Sequence, residues 1–320
     1  MNFGAFHSPL LPALSSILLL WFVAAYQISA VEVDIPRKSP PAGIKHIITY
    51  THTDSHGKIK RSAIRYDKYG NKTEKKVYKE GGELQWVVAY TYDATDHYRL
   101  LEKTAYEPEG EQVWRTEYSY DESGRISRVV NHDRFDKTNY TKVYEYEENK
   151  IETLMYGPDG SVRWRKSEFK NENNKISRIY YYYPDGSRIK GIIREYNSMG
   201  KVSEETHIDE IGAVFRRFVT EYDELGRVTG RRVYDHKGEI HRRMWVEYLD
   251  NGHIRRVRHI IPPENREEEY VYAYTTDKRG GWIRREETVR IHTPQKDEGI
   301  VQHIVESRDI EYFSYQTGEE

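Results

Sequence analysis

The 320-residue sequence contains no cysteine. This absence excludes disulfide bonds, thiolate metal sites and a cysteine nucleophile, and it excludes a lipoprotein anchor, which needs a cysteine. A net charge of one sign is lacking too, because 50 Lys and Arg residues are balanced by 52 Asp and Glu residues. Nucleic-acid binding favours a strongly basic surface, so this balance argues against a nucleic-acid partner.

Hydrophobic residues are also scarce. They make up 37% of the chain, below the usual share for a globular domain, whereas charged residues make up 32%. The chain nevertheless has 28 Tyr, eight Phe and six Trp residues, which a disordered chain would lack. The composition therefore predicts a thin structure with a large surface, in which tyrosine is the main buried residue.

A long apolar run occurs at the N-terminus, where residues 10–30 read LLPALSSILLLWFVAAYQISA. The apolar core and the small residue Ala30 are typical of a secretory signal peptide at residues 1–30. Because the core is long and no Lys or Arg precedes it, an uncleaved N-terminal membrane anchor and a buried structural segment stay open as alternatives. A Pro-rich spacer follows at residues 31–43. We expect a secreted or extracytoplasmic protein of the periplasm or cell surface, or one anchored by an uncleaved N-terminal helix, with no other membrane contact.

A 26-residue repeat occupies most of the remaining sequence. Tyrosines recur at Tyr196, Tyr222 and Tyr248, and each is followed by a four-residue turn that ends in glycine. The segments between turns are rich in Val, Ile, Thr, Tyr and Arg, which favours β-strands, and such short turns require antiparallel pairing. We therefore predict an all-β fold, with a single array of antiparallel β-hairpins at residues 44–281 and a C-terminal hairpin at residues 282–320.

Residues 130–175 interrupt this regularity. Lys170 stands where a tyrosine is expected, and Asn174 replaces a turn glycine. Asn tolerates the left-handed backbone conformation that such a turn requires. The sequence thus predicts a bulge or a shifted turn in this part of the array.

Period-two alternation along the strands predicts two different faces. One carries the Tyr, Trp, Ile and Val residues, and the other carries mostly Arg and Glu. Because an exposed aromatic face would promote aggregation, we predict a strongly twisted, curved sheet with the Tyr/Trp/Ile face inward. An outer-membrane barrel needs a continuous apolar band, which charged residues would interrupt on either face. These charged residues are Lys166, Glu168, Lys170, Lys190 and Arg194.

Four strings carry a family resemblance: YDKYGNKTE (66–74), YDESGRIS (120–127), YDELGRVTG (222–230) and YDHKGEIHR (234–242). They resemble the tyrosine–aspartate (YD) repeats of rearrangement-hotspot proteins, teneurins and insecticidal toxin-complex subunits. The resemblance implies a strip of β-hairpins, which in the large members of the family spirals into a hollow shell. This chain has about 18 to 20 expected strands, no paired-Asp self-cleavage motif and no separate toxin domain. It is therefore similar to the short secreted bacterial type.

The sequence contains none of the common catalytic motifs, so we expect no enzymatic activity, no catalytic residue and no cofactor. His52, Asp54 and His56 alternate along the chain. Two imidazoles and a carboxylate are a known zinc-binding set, which makes these residues a weak candidate metal site. The other interpretation is an exposed polar strand at the start of the array.

The strongest candidate for ligand binding is a set of residues that occupy one position in successive hairpins, which we call the row. The row comprises Trp86, Trp114, Tyr140, Trp164, Lys190, Arg216 and Arg242. Equivalent positions in successive hairpins lie about 9.6 Å apart, close to the length of two linked sugar residues. An exposed row could stack an extended glycan, whereas the competing interpretation is a packed inner face.

We expect a non-enzymatic extracytoplasmic scaffold that binds a glycan or a cell-surface protein. Two alternatives stay open. One is a component or remnant of a YD-repeat toxin-delivery or contact-dependent system, and the other is a hydrolase with an unrecognised site.

Overall fold

The computed structural model describes residues 43–53, 57–293 and 296–313. The predicted signal or anchor segment at residues 1–30 and all but the last residue of the spacer at 31–43 lie outside this part. The described chain is all-β, as predicted, and a 3₁₀ turn at Pro262–Glu264 joins two of its strands. None of the described helices has the length and apolar character of a membrane span.

The strands follow one another along the chain with short turns between them. They are β1 (Ile44–Thr53), β2 (Gly57–Tyr66), β3 (Lys72–Tyr78), β4 (Leu84–Tyr92), β5 (Leu100–Tyr106), β6 (Gln112–Tyr120), β7 (Ile126–His132), β8 (Thr138–Tyr146), β9 (Lys150–Tyr156), β10 (Val162–Lys170), β11 (Ile176–Tyr182), β12 (Arg188–Tyr196), β13 (Val202–Ile208), β14 (Val214–Tyr222), β15 (Val228–Tyr234), β16 (Ile240–Tyr248), β17 (Ile254–Ile261), β18 (Arg266–Thr276), β19 (Trp282–Thr293) and β20 (Lys296–Tyr312).

The 20 strands form a closed antiparallel ring. Each strand pairs with its neighbours in sequence, and β1 also pairs with β20, so that Ile47 lies opposite Ile310. Where the two terminal strands meet, the N–H of Phe313 donates a 2.7 Å hydrogen bond to the carbonyl of Gly43. The expected strongly twisted, curved sheet is thus corrected to a closed ring. Pairing of the terminal strands satisfies the backbone groups that two free edges would leave exposed.

The turns alternate between two rims of the ring. The first rim carries the turns that follow even-numbered strands, together with Gly43 and Phe313, and the second rim carries the turns that follow odd-numbered strands. A line drawn across the sheet through directly opposed residues starts at Ile47 on β1, near the first rim, and reaches Trp114 on β6, near the second rim. The strands are thus staggered and tilted, as closure of a barrel requires.

The ring is wide because it contains so many strands. With a strand spacing of about 4.8 Å and a tilt of about 40°, opposite walls lie roughly 30–40 Å apart. One layer of inward side chains does not fill such a space, and barrels of this strand number enclose a lumen. The hydrogen bonds, ion pairs and ring contacts given below join side chains on the same, adjacent or next-but-one strands, as expected for a single wall around a lumen.

Asp223 shows how a first-rim turn is built. Its Oδ1 atom accepts hydrogen bonds from the backbone N–H groups of Leu225 (3.0 Å) and Arg227 (2.8 Å), and Gly226 adopts a φ of +72°. Such a turn needs a positive φ at its last position, which glycine adopts without steric cost. Asn174 adopts a φ of +57° at the equivalent position, which confirms that it replaces a turn glycine.

The tyrosine before the aspartate links each hairpin to the preceding one. The phenol of Tyr222, the last residue of β14, donates a 2.8 Å hydrogen bond to the backbone carbonyl of Val202, the first residue of the adjacent strand β13. Four more tyrosines donate the same bond, at 2.6–2.9 Å, to the carbonyl 20 residues earlier; they are Tyr120, Tyr146, Tyr196 and Tyr248. At these five positions the tyrosine joins adjacent hairpins, and in the YD pairs Tyr120–Asp121 and Tyr222–Asp223 the aspartate shapes the turn.

The predicted irregularity at residues 130–175 is present, but its form differs from the prediction. Most first-rim hairpins contain a register shift next to the tyrosine, whereas β8 and β9 pair without one, with Tyr146 opposite Ile151. Their turn is one residue shorter, which removes the bulge instead of adding one. Lys170, in the tyrosine position of β10, donates a 3.4 Å hydrogen bond from Nζ to the carbonyl of Glu148.

The two faces of the wall differ in burial. We call the face that bears the repeat tyrosines the tyrosine face. The exposed charged side chains of the opposite face include Arg128, Glu145, Arg178, Glu195 and Glu221. Side chains converge on the concave side of a ring and spread apart on its convex side, so we assign the more buried tyrosine face to the lumen.

Charged side chains interrupt both faces of the wall, and the charged residues that were expected to interrupt an apolar band share one face. Strand alternation and pairing place five charged residues together on the tyrosine face: Lys166, Glu168, Lys170, Lys190 and Arg194. The opposite face carries a separate set of exposed charges. Both sides of the wall are therefore polar enough to contact water.

Candidate functional site

The structure brings all seven row residues to one level of the lumen. Each is the third residue of its strand, counted from the second rim, on the even-numbered strands β4 to β16. Each is directly opposed by the residue nine positions earlier in the sequence. The pairs are Trp86–Val77, Trp114–Ala105, Tyr140–Asn131, Trp164–Met155, Lys190–Tyr181, Arg216–His207 and Arg242–Val233.

A cavity of about 470 Å³ lies between two adjacent members of the row, Trp114 and Tyr140. Its lining consists of Val113, Trp114, Thr116, Asn131, His132, Asp133, Asn139 and Tyr140. It is a shallow depression that is open to solvent, and its lining combines two aromatic side chains with a few polar groups. The arrangement can therefore hold a ring-shaped polar ligand between two aromatic side chains.

A hydrogen-bond chain fixes the polar part of this cavity. The Nδ2 atom of Asn139 donates to Oδ1 of Asn131 (3.1 Å), and Nδ2 of Asn131 donates to Oγ1 of Thr116 (2.9 Å). Burial raises the pKa of the Tyr140 phenol, so this hydroxyl stays neutral and can donate. Because Nδ2 of Asn131 also donates to the backbone carbonyl of Arg115 (3.3 Å), both of its N–H groups are used. The chain leaves one N–H and the Oδ1 atom of Asn139, and a lone pair on Oδ1 of Asn131, for a ligand.

His132 contributes an unusual feature to the cavity lining. Its side chain is only 12% exposed, and both ring nitrogens are buried without a hydrogen-bond partner among the described residues. The Oε2 atom of Glu117 lies 3.4 Å from Nε2. Buried polar atoms are normally satisfied, and the Glu117 carboxylate is the nearest acidic group to this ring.

The aromatic and basic halves of the row meet at Tyr181. The ring of Trp164 packs edge-on against Tyr181, with centroids 6.3 Å apart, and Nζ of Lys190 lies 4.9 Å from the centroid of the same ring. Such cation–π contact orients an ammonium group without neutralising it. The row is thus continuous from Trp164 to Lys190.

The three basic members of the row differ in their partners. Arg242 donates to Nδ1 of His259 (3.1 Å) and to Oε2 of Glu268 (3.4 Å), so it is held within the wall. Burial, and then the charge of Arg242, lowers the pKa of His259 to about 3, which leaves that imidazole neutral. Lys190 and Arg216 form no ion pair with a described carboxylate.

The remaining predicted residues are less organised. Trp86 is 42% exposed at the start of the row and lies opposite Val77. In the weak metal candidate, Asp54 and His56 lie outside the described residues, and Nε2 of His52 lies 2.9 Å from Oγ of Ser307. Within the described ranges, no group of three or more potential ligands is placed to hold a metal ion.

Sequence reasoning missed the residues that oppose the row. Asn131, Tyr181 and His207 complete the contacts of Tyr140, Lys190 and Arg216. The constant offset of nine residues is a signal that could have found them. A bulge in each of the seven second-rim hairpins of the row obscures this signal, because it shifts the alternation by one residue.

Comparisons with known proteins show no matching family model and no matching curated protein. Among solved structures, the chain is similar to a porin-like protein from Bacteroides uniformis, with 11% identity, a TM-score of 0.39 and coverage of 86% of this chain and 100% of that one. It is also similar to a chain of the TcdB2-TccC3-Cdc42 structure, with 13% identity and a TM-score of 0.29. A third match, TcdB2-TccC3 without its hypervariable C-terminal region, has 12% identity and a TM-score of 0.28. In these last two cases the match covers 80% of this chain and 18% of the other.

Proposed function

We propose that the protein is a non-enzymatic, extracytoplasmic ring that binds a glycan chain along the row in its lumen. The observation that carries this proposal is the cavity between Trp114 and Tyr140, with the amides of Asn131 and Asn139 in its lining. A sugar ring has an apolar C–H face and polar edges. The face fits an aromatic side chain, and the edges fit amide donors and acceptors.

The spacing of the row supports an extended chain rather than a single sugar. Adjacent row members lie about 9.6 Å apart across the strands and, with a tilt of about 40°, about 12 Å apart along the wall, so the length of each step is nearest to that of two linked sugar residues. Trp86, Trp114, Tyr140 and Trp164 occupy four consecutive steps. A glycan that follows the second rim would meet an aromatic side chain at each of them.

The location rests on two further features. The apolar run at residues 10–30 favours export, and the charged outer face favours a ring surrounded by water on both sides. A protein ligand remains the main competitor. It would need a larger contiguous apolar surface than one row of aromatic side chains separated by polar groups.

The proposal is tested with glycan arrays and cell-wall polysaccharide pull-downs, followed by calorimetry on the strongest hit. We expect Trp114→Ala and Tyr140→Ala each to weaken binding about tenfold, which corresponds to about 1.4 kcal/mol. Trp245→Ala is the matched control, because Trp245 is 40% exposed but lies on the outer face. It should leave affinity unchanged. The absence of any glycan binding, or an equal loss in the control, would contradict the proposal.

A further inference from the structure

Lys190 and Arg216, two basic members of the row, lack acidic partners among the described residues. Neighbouring cations on the tyrosine face are paired: Nζ of Lys166 lies 2.8 Å from Glu168 Oε2, and Nε of Arg194 lies 2.8 Å from Glu205 Oε2. In the described part of the chain, no carboxylate forms an ion pair with Lys190 or Arg216. Two unneutralised cations therefore face the lumen on β12 and β14.

The carboxylate of Glu205, on the intervening strand β13, is already engaged. Its Oε2 accepts a hydrogen bond from Arg194, and its Oε1 lies 2.7 Å from Nε2 of His207. His207 lies directly opposite Arg216 and packs against Phe218, with ring centroids 5.0 Å apart. The local acid is thus directed towards Arg194 and His207, and Arg216 keeps its charge for a ligand.

These two cations continue the row beyond its aromatic members. The contacts of Tyr181 with Trp164 and Lys190 connect the two halves. Lys190 and Arg216 lie one step apart, about 12 Å along the tilted wall. A chain that stacks on the aromatic members would therefore present one group to each cation at intervals of about two sugars.

From this arrangement we infer that the glycan is acidic, with an anionic group on every second sugar, and that Lys190 and Arg216 bind two successive anionic groups. This inference rests on the proposed function. Arg recognises a carboxylate or sulfate through paired N–H donors, and Lys supplies a point charge. Arg242 takes no part, because it is held by His259 and Glu268.

The test uses the full-length protein and calorimetry with a hyaluronan decasaccharide, which carries a carboxylate on alternate sugars, and with its carboxyl-reduced, uncharged counterpart. A second matched pair, polygalacturonate and its carboxyl-reduced form, and a chondroitin sulfate oligosaccharide complete the panel. We expect acidic forms to bind at least about tenfold more tightly than their reduced counterparts. The preference should shrink as salt is raised, because screening weakens charge pairing.

Two substitutions then separate charge recognition from stacking. Lys190→Gln and Arg216→Gln should each lower affinity for the acidic form about tenfold, while affinity for the uncharged form stays within about twofold. Arg243→Gln, an exposed arginine on the outer face next to the row, is the matched control and should change neither. Tighter binding of the sulfated chain than of the carboxylated ones would identify the anionic group as sulfate and would still support the inference.

Equal affinity for acidic and uncharged forms, or binding of uncharged glycans alone, would overturn this inference while leaving the proposed function intact. Trp114→Ala should weaken both forms alike. If neither form nor any other glycan bound, the proposed function itself would fail, and the inference with it.

Discussion

The phenolic hydroxyl of Tyr196 donates a 2.6 Å hydrogen bond to the carbonyl oxygen of Ile176, one hairpin earlier in the chain. The bond explains why this position of the repeat is tyrosine and not phenylalanine. The bond joins the adjacent strands β11 and β12 near the first rim. Equivalent bonds join other hairpins of the array to their predecessors. The wall therefore depends on a side-chain link that recurs with the repeat, in addition to its backbone ladder.

Removing this hydroxyl should destabilise the ring. We expect Tyr196→Phe to lower the free energy of unfolding by about 1 kcal/mol, because the Ile176 carbonyl loses its side-chain partner. Urea denaturation monitored by tryptophan fluorescence measures the change. Tyr234→Phe is the control, since the ring of Tyr234 is covered by Arg217 but its hydroxyl makes no hydrogen bond among the described residues. Equal losses in both variants would show that the hydrogen bond contributes nothing.

Glu205 predicts a pH dependence of stability. Burial alone would raise the pKa of Glu205, but hydrogen bonds from His207 and Arg194 outweigh it and lower that pKa to about 2 from an ordinary 4.5. The folded pKa lies below the unfolded one, so the contribution is complete above about pH 4.5. It is lost as the pH falls towards 2 and amounts to on the order of 3 kcal/mol.

The measurement is the urea midpoint between pH 2 and 6 for the wild type and for Glu205→Gln. The difference between the two should be largest above pH 4.5 and should shrink as the solution becomes more acidic. The same subtraction for Glu221→Gln, an exposed carboxylate on the outer face, provides the baseline. A constant difference across the range would contradict the pKa assignment.

Closure of the ring can be tested with an engineered disulfide. Ile47 and Ile310 are directly opposite across the β1–β20 seam, so their Cα atoms lie about 4.5–5.5 Å apart. Ile47→Cys with Ile310→Cys should oxidise readily and stabilise the protein by about 2–4 kcal/mol. In a chain that has no other cysteine, faster migration on a non-reducing gel reports the bond.

The pair Ile47→Cys with Ile304→Cys is the control for the seam, because it lies six residues out of register. It should remain reduced under the same conditions. An open array would leave both pairs unlinked, and that result would overturn the closed topology.

The turn at Asn174 predicts opposite effects for two small substitutions. The φ of Asn174 is +57°, a conformation that costs an alanine roughly 1 kcal/mol. Asn174→Ala should destabilise the protein by about that amount, whereas Asn174→Gly should be neutral or slightly stabilising. Asn173→Ala, at the preceding exposed position, should have little effect in the same thermal or urea unfolding experiment.

Much of the wall could be predicted from the sequence because it is local. A tyrosine, an aspartate and a glycine at fixed spacing specify the end of one strand, the turn and the start of the next. The face of each side chain then follows from alternation. The position of Trp114 on the same face as the repeat tyrosines required nothing else.

Closure could not be predicted in this way. The pairing of Ile47 with Ile310 joins segments at opposite ends of the array, and periodicity contains no information about such a contact. The unusual length of β20, 17 residues against seven or nine in the regular interior strands, does not identify its partner. Whether an array of similar hairpins stays open or closes depends on the twist and stagger accumulated over all the strands, which no single repeat reveals.

The cavity was hidden for a different reason. Asn131 belongs to the strand before Tyr140, and their opposition depends on a bulge that lies between Asn131 and His132 in the pairing register. Without that bulge, simple counting would place the wrong residue opposite the aromatic ring. Row positions were thus predictable, and the polar groups that give them chemical selectivity were not.

Because β1 and β20 pair like any other neighbouring strands, the number of hairpins determines the diameter of the ring. At a strand tilt of about 40°, each hairpin occupies about 12 Å of the circumference, so gaining or losing one unit would change the diameter by about 4 Å. Turns, tyrosine links and registers inside the remaining units would be unaffected. Duplication or deletion of whole repeat units would therefore produce rings that differ in inner diameter by regular steps. Each ring would accommodate a ligand of different thickness or curvature.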